Sequence, residues 1–122
     1  MTQALNIIPS VKELTDLHDS FLEAWNSDTT SVPDEWTEAL PERGQCAVTA
    51  LILQDIFGGE LLRAVVNGES HYWNKLPLGE VDFTRSQFVS PLTIEGTEER
   101  TREYVLSNML TVKRYETLKS RI

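Results

Sequence analysis

Between Gly44 and Phe57 the chain carries Ala47, Val48, Ala50, Leu51, Ile52, Leu53, Ile56 and Phe57, apolar residues that cover most of the circumference of a helix. A helix apolar nearly all round belongs in the middle of a domain, with other elements packed around it. Everything else in the chain must therefore fold about this segment. Gly58-Gly59 supplies its left-handed stop. The stretch is interrupted by Thr49, Gln54 and Asp55 and is too short to cross a bilayer. In its first turn sits Cys46, the only cysteine, so no internal disulfide can form.

The flanking segments can be read around this centre. Ser10 with Glu13 gives a capping-box signature, and Val11, Leu14, Leu17, Phe21, Leu22 and Trp25 form one apolar stripe, so a helix is expected over Ser10 to Trp25. His18 falls on that stripe and reads as a core or boundary residue. Residues 26–33 form a polar connection, and Asp34 to Leu40 a short turn or helix carrying Trp36. Beyond the glycine stop, Leu61 to Val66 reads as a strand, Asn67-Gly68 as a hairpin turn, and His71 to Leu76 as its partner. Pro77-Leu78-Gly79 makes a second turn, followed by a strand over Glu80 to Thr84. Glu98 to Leu106 reads as helical, and a last helix runs from Met109 to about Arg121, capped by Ser107 or Asn108. Helices, a small antiparallel sheet, then helices again argue for a single α+β domain over the 122 residues.

Charge excludes some functions. Lys and Arg number 11 and Asp and Glu 19, a net of −8, so nucleic acid and anionic membrane surfaces are repelled. Residues 1–60 carry 2 basic against 11 acidic side chains, which reads as a solvated face or as a docking surface for a basic partner. There is no basic, apolar N-terminal leader, so a cytoplasmic setting with a reduced thiol is expected. Two histidines and one cysteine give no zinc-ligand spacing, and neither a Gly-x-Ser-x-Gly elbow nor a phosphate-binding glycine loop is present. No cofactor or metal is expected.

One constellation remains. A cysteine at a helix start lies where unpaired amides and the helix dipole favour an anionic sulfur. A nucleophilic thiol needs an imidazole, and the imidazole needs an orienting group. His71 and Asp82 lie on successive strands. If Leu76 to Gly79 is a four-residue turn with Pro77 at its second position, Leu76 opposes Gly79, Trp73 opposes Asp82 and His71 opposes Thr84. His71 and Asp82 are then diagonal neighbours on one face, and Trp73 shares it. Cys46, His71 and Asp82 are the catalytic candidates. Gln45 is a candidate oxyanion donor through its side-chain amide or backbone N–H. Trp73 is a candidate cleft wall, and Arg85 a candidate partner for a substrate carboxylate. Each has a structural alternative: a buried small thiol, a strand histidine bonded to backbone, an Asp82–Arg85 ion pair, a core tryptophan. Ser70 bonds the imidazole or caps the strand.

The order helix-Cys, strand-His, strand-Asp over roughly residues 44–84 resembles the papain-like fold, and in particular the compact core of transglutaminase-like proteins. That resemblance implies a nucleophile opening a buried helix with its partners on adjacent strands. The stretches Gly44-Gln45-Cys46-Ala47-Val48-Thr49-Ala50, Gln54-Asp55, Phe57-Gly58-Gly59-Glu60, Ser70-His71-Tyr72-Trp73-Asn74, Asp82-Phe83-Thr84-Arg85, Gln87-Phe88, Arg102-Glu103-Tyr104, Leu106-Ser107-Asn108 and Arg114-Tyr115 resemble the YunG-like family of small bacterial proteins. This implies a fold and a site but no activity. Met109 follows Asn108 where related sequences tend to have Pro. The expected function is a cysteine-dependent hydrolase or acyl/amide transferase acting on a small-molecule or peptide substrate. The alternative is a non-catalytic binding or scaffold protein on the same fold.

Overall fold

A computed structural model describes residues 8–122. Helix α1 (Val11–Ala24) starts at Ser10, whose hydroxyl accepts from the Glu13 N–H while the Glu13 carboxylate accepts from the Ser10 N–H, both at 3.1 Å. The capping box thus satisfies two amides that the helix leaves unpaired. Of the expected stripe, Phe21 and Trp25 are buried and Leu14 and Leu17 partly so, whereas Val11 and Leu22 face solvent. Helix α2 (Cys46–Phe57) begins two residues later than the sequence suggests and ends at Gly58, which has φ of +74°. Val48 to Leu53 and Phe57 are all buried, as a helix apolar on every side requires. Trp25 donates its indole N–H to Thr49 Oγ1 at 2.9 Å, which fixes α1 across α2.

Strands β1 (Glu60–Val66) and β2 (Glu69–Leu76) form a hairpin about Asn67-Gly68, both at positive φ, with Ala64 opposite His71. Such a two-residue turn matches the twist of the strands it joins. β3 (Gly79–Val81) pairs with β2 in the expected register, Leu76 opposite Gly79. It is shorter than the expected Glu80 to Thr84. At Asp82 the carboxylate turns to the N–H of Thr84, a side-chain to backbone bond that competes with ladder pairing. The pairs Trp73–Asp82 and His71–Thr84 accordingly do not form, and the His71–Trp73 stretch of β2 has no strand beside it on that edge.

The main correction concerns residues 94–106. A strand, β4 (Ile94–Arg100), pairs antiparallel with β1, and only α3 (Arg102–Val105) is helical in the region read as a helix from Glu98. The sheet order is β3-β2-β1-β4. Helix α4 (Met109–Lys119) starts at Asn108, whose side chain accepts from Leu110 and Thr111 N–H, and stops short of the expected Arg121. The described residues thus form an α+β arrangement with one four-stranded antiparallel sheet. α2 packs on one sheet face through Leu61 and Leu76, with α1 and α4 outside it. Asn74 pins it by donating to the Ala50 carbonyl at 2.9 Å. The other face carries Leu62, Ala64, Val66 and Trp73 under Phe88 and Leu92. Residues 34–40 form turns, with Trp36 donating to the Pro41 carbonyl. Arg102, Asp55 and Tyr115 join α3 and α4 to the end of α2, so these motif residues lock helices together. No helix among the described residues is long and apolar enough to cross a membrane.

Candidate active site

The backbone before α2 is held from several sides. Gly44 has φ of +75°, a region that favours glycine. Its N–H donates to Gln87 Oε1 and its carbonyl accepts from the Ser31 N–H. Thr30, fully buried, donates its hydroxyl to the Arg43 carbonyl at 2.7 Å. The polar connection after α1 is largely exposed, but Thr29 and Thr30 turn inward and brace the approach to α2. Arg43 reaches Glu35, Glu69 and Gln87, and Gln87 donates in turn to the Thr84 carbonyl. One glutamine thus ties the entry to the cysteine helix to the segment carrying Asp82. These bonds join residues 43 or 44 positions apart in the chain, and local pattern reading cannot find them. The only signal was the Gln87-Phe88 pair within the family-like stretches.

Cys46 occupies the first position of α2, partly buried. No side chain caps this end, so the first amides lie where a helix has no internal acceptor for them. His71, on β2, is fully buried. Its Nε2 lies 2.6 Å from Asp82 Oδ2. Trp73 stacks on the imidazole with ring centres 5.7 Å apart at 21°, and Phe88 meets it edge-on at 4.9 Å. The ring is therefore clamped on its faces and anchored at Nε2. The remaining ring nitrogen, Nδ1, is buried and has no hydrogen-bond partner among the described residues.

Asp82 receives four polar contacts. Oδ2 takes His71 and, at 2.9 Å, Arg85 Nε, while Oδ1 takes the Thr84 N–H and hydroxyl. Burial works against its charge, but His71, Thr84 and Arg85 together outweigh that and hold the carboxyl below its ordinary value. Burial likewise opposes charging of His71. The Asp82 carboxylate and Cys46 win, raising the imidazole from 6.5 to about 9. Cys46 is thus among the groups that raise it, although no hydrogen bond joins its side chain to His71 among the described residues.

A group with a raised folded pKa stabilises most when it is protonated in both states. The His71 contribution is complete below pH 6.5 and lost as pH rises through about 9. The Asp82 contribution is complete above pH 3.8 and lost as pH falls below that value. The urea midpoint of the wild type is expected to decline between pH 6.5 and 9 by roughly 3 kcal/mol equivalent, at about 1.36 kcal/mol per pKa unit. The His71→Gln variant should show a flatter curve over that window. Equal slopes in the two proteins would mean that His71 is not held charged.

Other expected residues fall differently. Gln45 is fully buried. Its backbone N–H donates to Glu42 and its side-chain Nε2 to the Asn26 carbonyl, so it fastens the loop, and its Oε1 has no partner. Trp73 is 3% exposed, with its indole N–H on Glu80, so it shapes the imidazole's surroundings from within the core. Ser70 accepts from Arg63 and does not meet the imidazole. His18 packs against Trp25 and Phe83. It lines a groove of about 390 Å³ with Val11, Leu14, Asp82, Phe83 and Ser86. Ser86 donates to the buried Glu42 carboxylate. Among the described residues, no three His, Cys, Asp or Glu side chains are grouped to hold a metal ion.

Comparison with known proteins adds a family. The YunG protein family matches residues 13–122. A protein of Bacillus subtilis (strain 168), described as "Uncharacterized protein YunG", is 39% identical over 70 residues, covering 57% of this chain and 58% of that relative. The match thus spans under two thirds of the relative's length. No solved structure matches.

Proposed function

We propose that this chain, which belongs to the YunG family, is a cysteine-dependent hydrolase or acyl/amide transferase built on a papain-like, transglutaminase-like core. The observation that carries the reading is His71. A fully buried imidazole is bonded to the Asp82 carboxylate at Nε2, at 2.6 Å, while its Nδ1 is buried with no partner among the described residues. A strand histidine kept only for packing needs neither a carboxylate at one nitrogen nor a free second nitrogen. A cysteine that opens a buried helix, with an imidazole from the sheet and a carboxylate behind it, is the arrangement that activates a nucleophile.

In this mechanism Cys46 Sγ attacks the carbonyl carbon of an amide or ester. The carbonyl oxygen takes up negative charge, which the N–H groups at the start of α2 receive. As the tetrahedral centre collapses, His71 gives its Nδ1 proton to the leaving amine or alcohol, and a thioester remains on Cys46. Water or an acceptor amine then attacks the thioester carbonyl and gives its proton to His71, releasing the acyl product and the thiolate. Asp82 stays ionised throughout and holds the ring's orientation.

The test is trapping of the acyl intermediate. Incubation with a panel of p-nitrophenyl esters and amino-acid amides, followed by intact-mass spectrometry, should show one acyl group added per chain, mapped to Cys46 and absent from Cys46→Ala. Hydrolysis of the same panel should drop by at least about a hundredfold in that variant, the scale for loss of a nucleophile or base. If no compound acylates Cys46, or turnover persists in Cys46→Ala, the non-catalytic reading replaces this one.

A further inference from the structure

We propose that Arg85 forms a carboxylate-recognition site beside the triad, so that the substrates are acyl compounds bearing a free carboxylate close to the scissile bond. This rests on the cysteine-nucleophile reading and names its substrate class. Arg85 is fixed in two ways. Its Nε donates to Asp82 Oδ2 at 2.9 Å, and its guanidinium carbon lies 5.1 Å above the Trp73 ring. Trp73 stacks in turn on His71. Arg85 Nε and His71 Nε2 also share Asp82 Oδ2, at 2.9 and 2.6 Å, and this common carboxylate, not the intervening indole, is what sets a ligand on the guanidinium beside the triad.

The outer edge of this guanidinium is unused. Nη1 and Nη2 make no hydrogen bond among the described residues, they are not buried, and the side chain is 35% exposed. Arg43, Arg102 and Arg121 differ, since each spends both Nη atoms on protein acceptors. Asp82 is the carboxylate paired with both His71 and Arg85, and it engages Arg85 through Nε alone. Glu80 is engaged with the Trp73 indole N–H. A planar fork with two parallel donors fits a carboxylate, and its orientation is already set before the ligand arrives.

The experiment uses matched alkylating pairs that differ only in the carboxylate: iodoacetate with iodoacetamide, and N-iodoacetylglycine with N-iodoacetylglycinamide. In wild type at least one carboxylate reagent should alkylate Cys46 about tenfold faster than its neutral mate after correction for intrinsic reactivity, as expected for one charged hydrogen-bond pair. Arg85→Gln places an amide nitrogen where Nε stands, keeping a donor for Asp82 while removing the fork. In that variant the ratio should fall to about one, and Arg85→Lys should recover part of it. Each variant's neutral reagent serves as its own reference, so a general change in thiol reactivity cancels. A ratio unchanged in Arg85→Gln overturns the proposal. Loss of all His71 dependence in the neutral reaction overturns the cysteine-nucleophile reading instead. Binding gives a second readout that needs no reactive thiol. N-acetylglycine, but not N-acetylglycinamide, should shift the Arg85 and Trp73 side-chain NMR signals saturably in wild type. Absence of such a shift also overturns the site.

Discussion

Asp82→Ala is expected to destabilise the protein by roughly 3–5 kcal/mol near pH 6, the range for removing one partner of a buried ion pair. Asp82 is only 10% exposed at its side chain and His71 not at all, and a water entering from the adjoining groove would bring no charge to replace the carboxylate. The imidazole would be left among Trp73 and Phe88 with Nε2 as unpaired as Nδ1, and Arg85 would lose its anchor. The buried ring then relieves its charge by losing its proton. The deficit should therefore shrink as pH rises through about 9, where wild-type His71 also deprotonates. Urea unfolding at pH 6 and at pH 9.5 measures both. Asp82→Asn keeps the size and is expected to lose less stability, while still abolishing the orienting charge. A deficit identical at the two pH values would show that the carboxylate matters through its Thr84 contacts alone.

Gly44→Ala is the second large effect, expected at roughly 2–5 kcal/mol. A Cβ there would stand 2.1 Å from Thr30 Oγ1 and 2.7 Å from Val32 Cγ2, with φ at +75°. The backbone region alone costs roughly 1–2 kcal/mol for a residue with a Cβ, and forced overpacking costs about 1–3 more. Thr30 cannot swing aside cheaply, since its hydroxyl is bonded to the Arg43 carbonyl and to the Val32 N–H and is buried. The displaced residue lies two positions before Cys46, so the nucleophile moves with it. Lower thermal stability together with slower Cys46 alkylation is the expected pair of results. Unchanged alkylation in a destabilised protein would separate this brace from the site.

These two positions show what the chain discloses locally and what it does not. α2 was legible because its apolar residues ignore the usual one-sided period and then meet two glycines. The β1–β2 hairpin was legible because Asn67-Gly68 selects its turn. The meeting of His71 and Asp82 followed from the length of the Leu76–Gly79 turn, even though β3 ends before Asp82. β4 was not legible. Glu95, Glu98 and Glu99 leave it without an alternating apolar face, and its burial is low throughout, so backbone pairing with β1 decides its conformation. Thr29, Thr30, Arg43 and Gln87 look like surface residues by type. Their partners are backbone groups and side chains remote in sequence or hidden in turns, and only the folded chain reveals that they hold the cysteine helix in place. Trp73 was placed correctly on the face of His71, but its depth depends on Phe88 and Arg85 arriving from a later segment.

The most direct measurement of the Cys46–His71 pairing is the rate of iodoacetamide alkylation of the native protein from pH 5 to 10, in wild type and in His71→Ala. A Cys46–His71 pair should make the wild-type thiol react at pH 6 at least about tenfold faster than the thiol of His71→Ala. A thiol that reacts only after denaturation, or a profile identical in the two proteins, would contradict it.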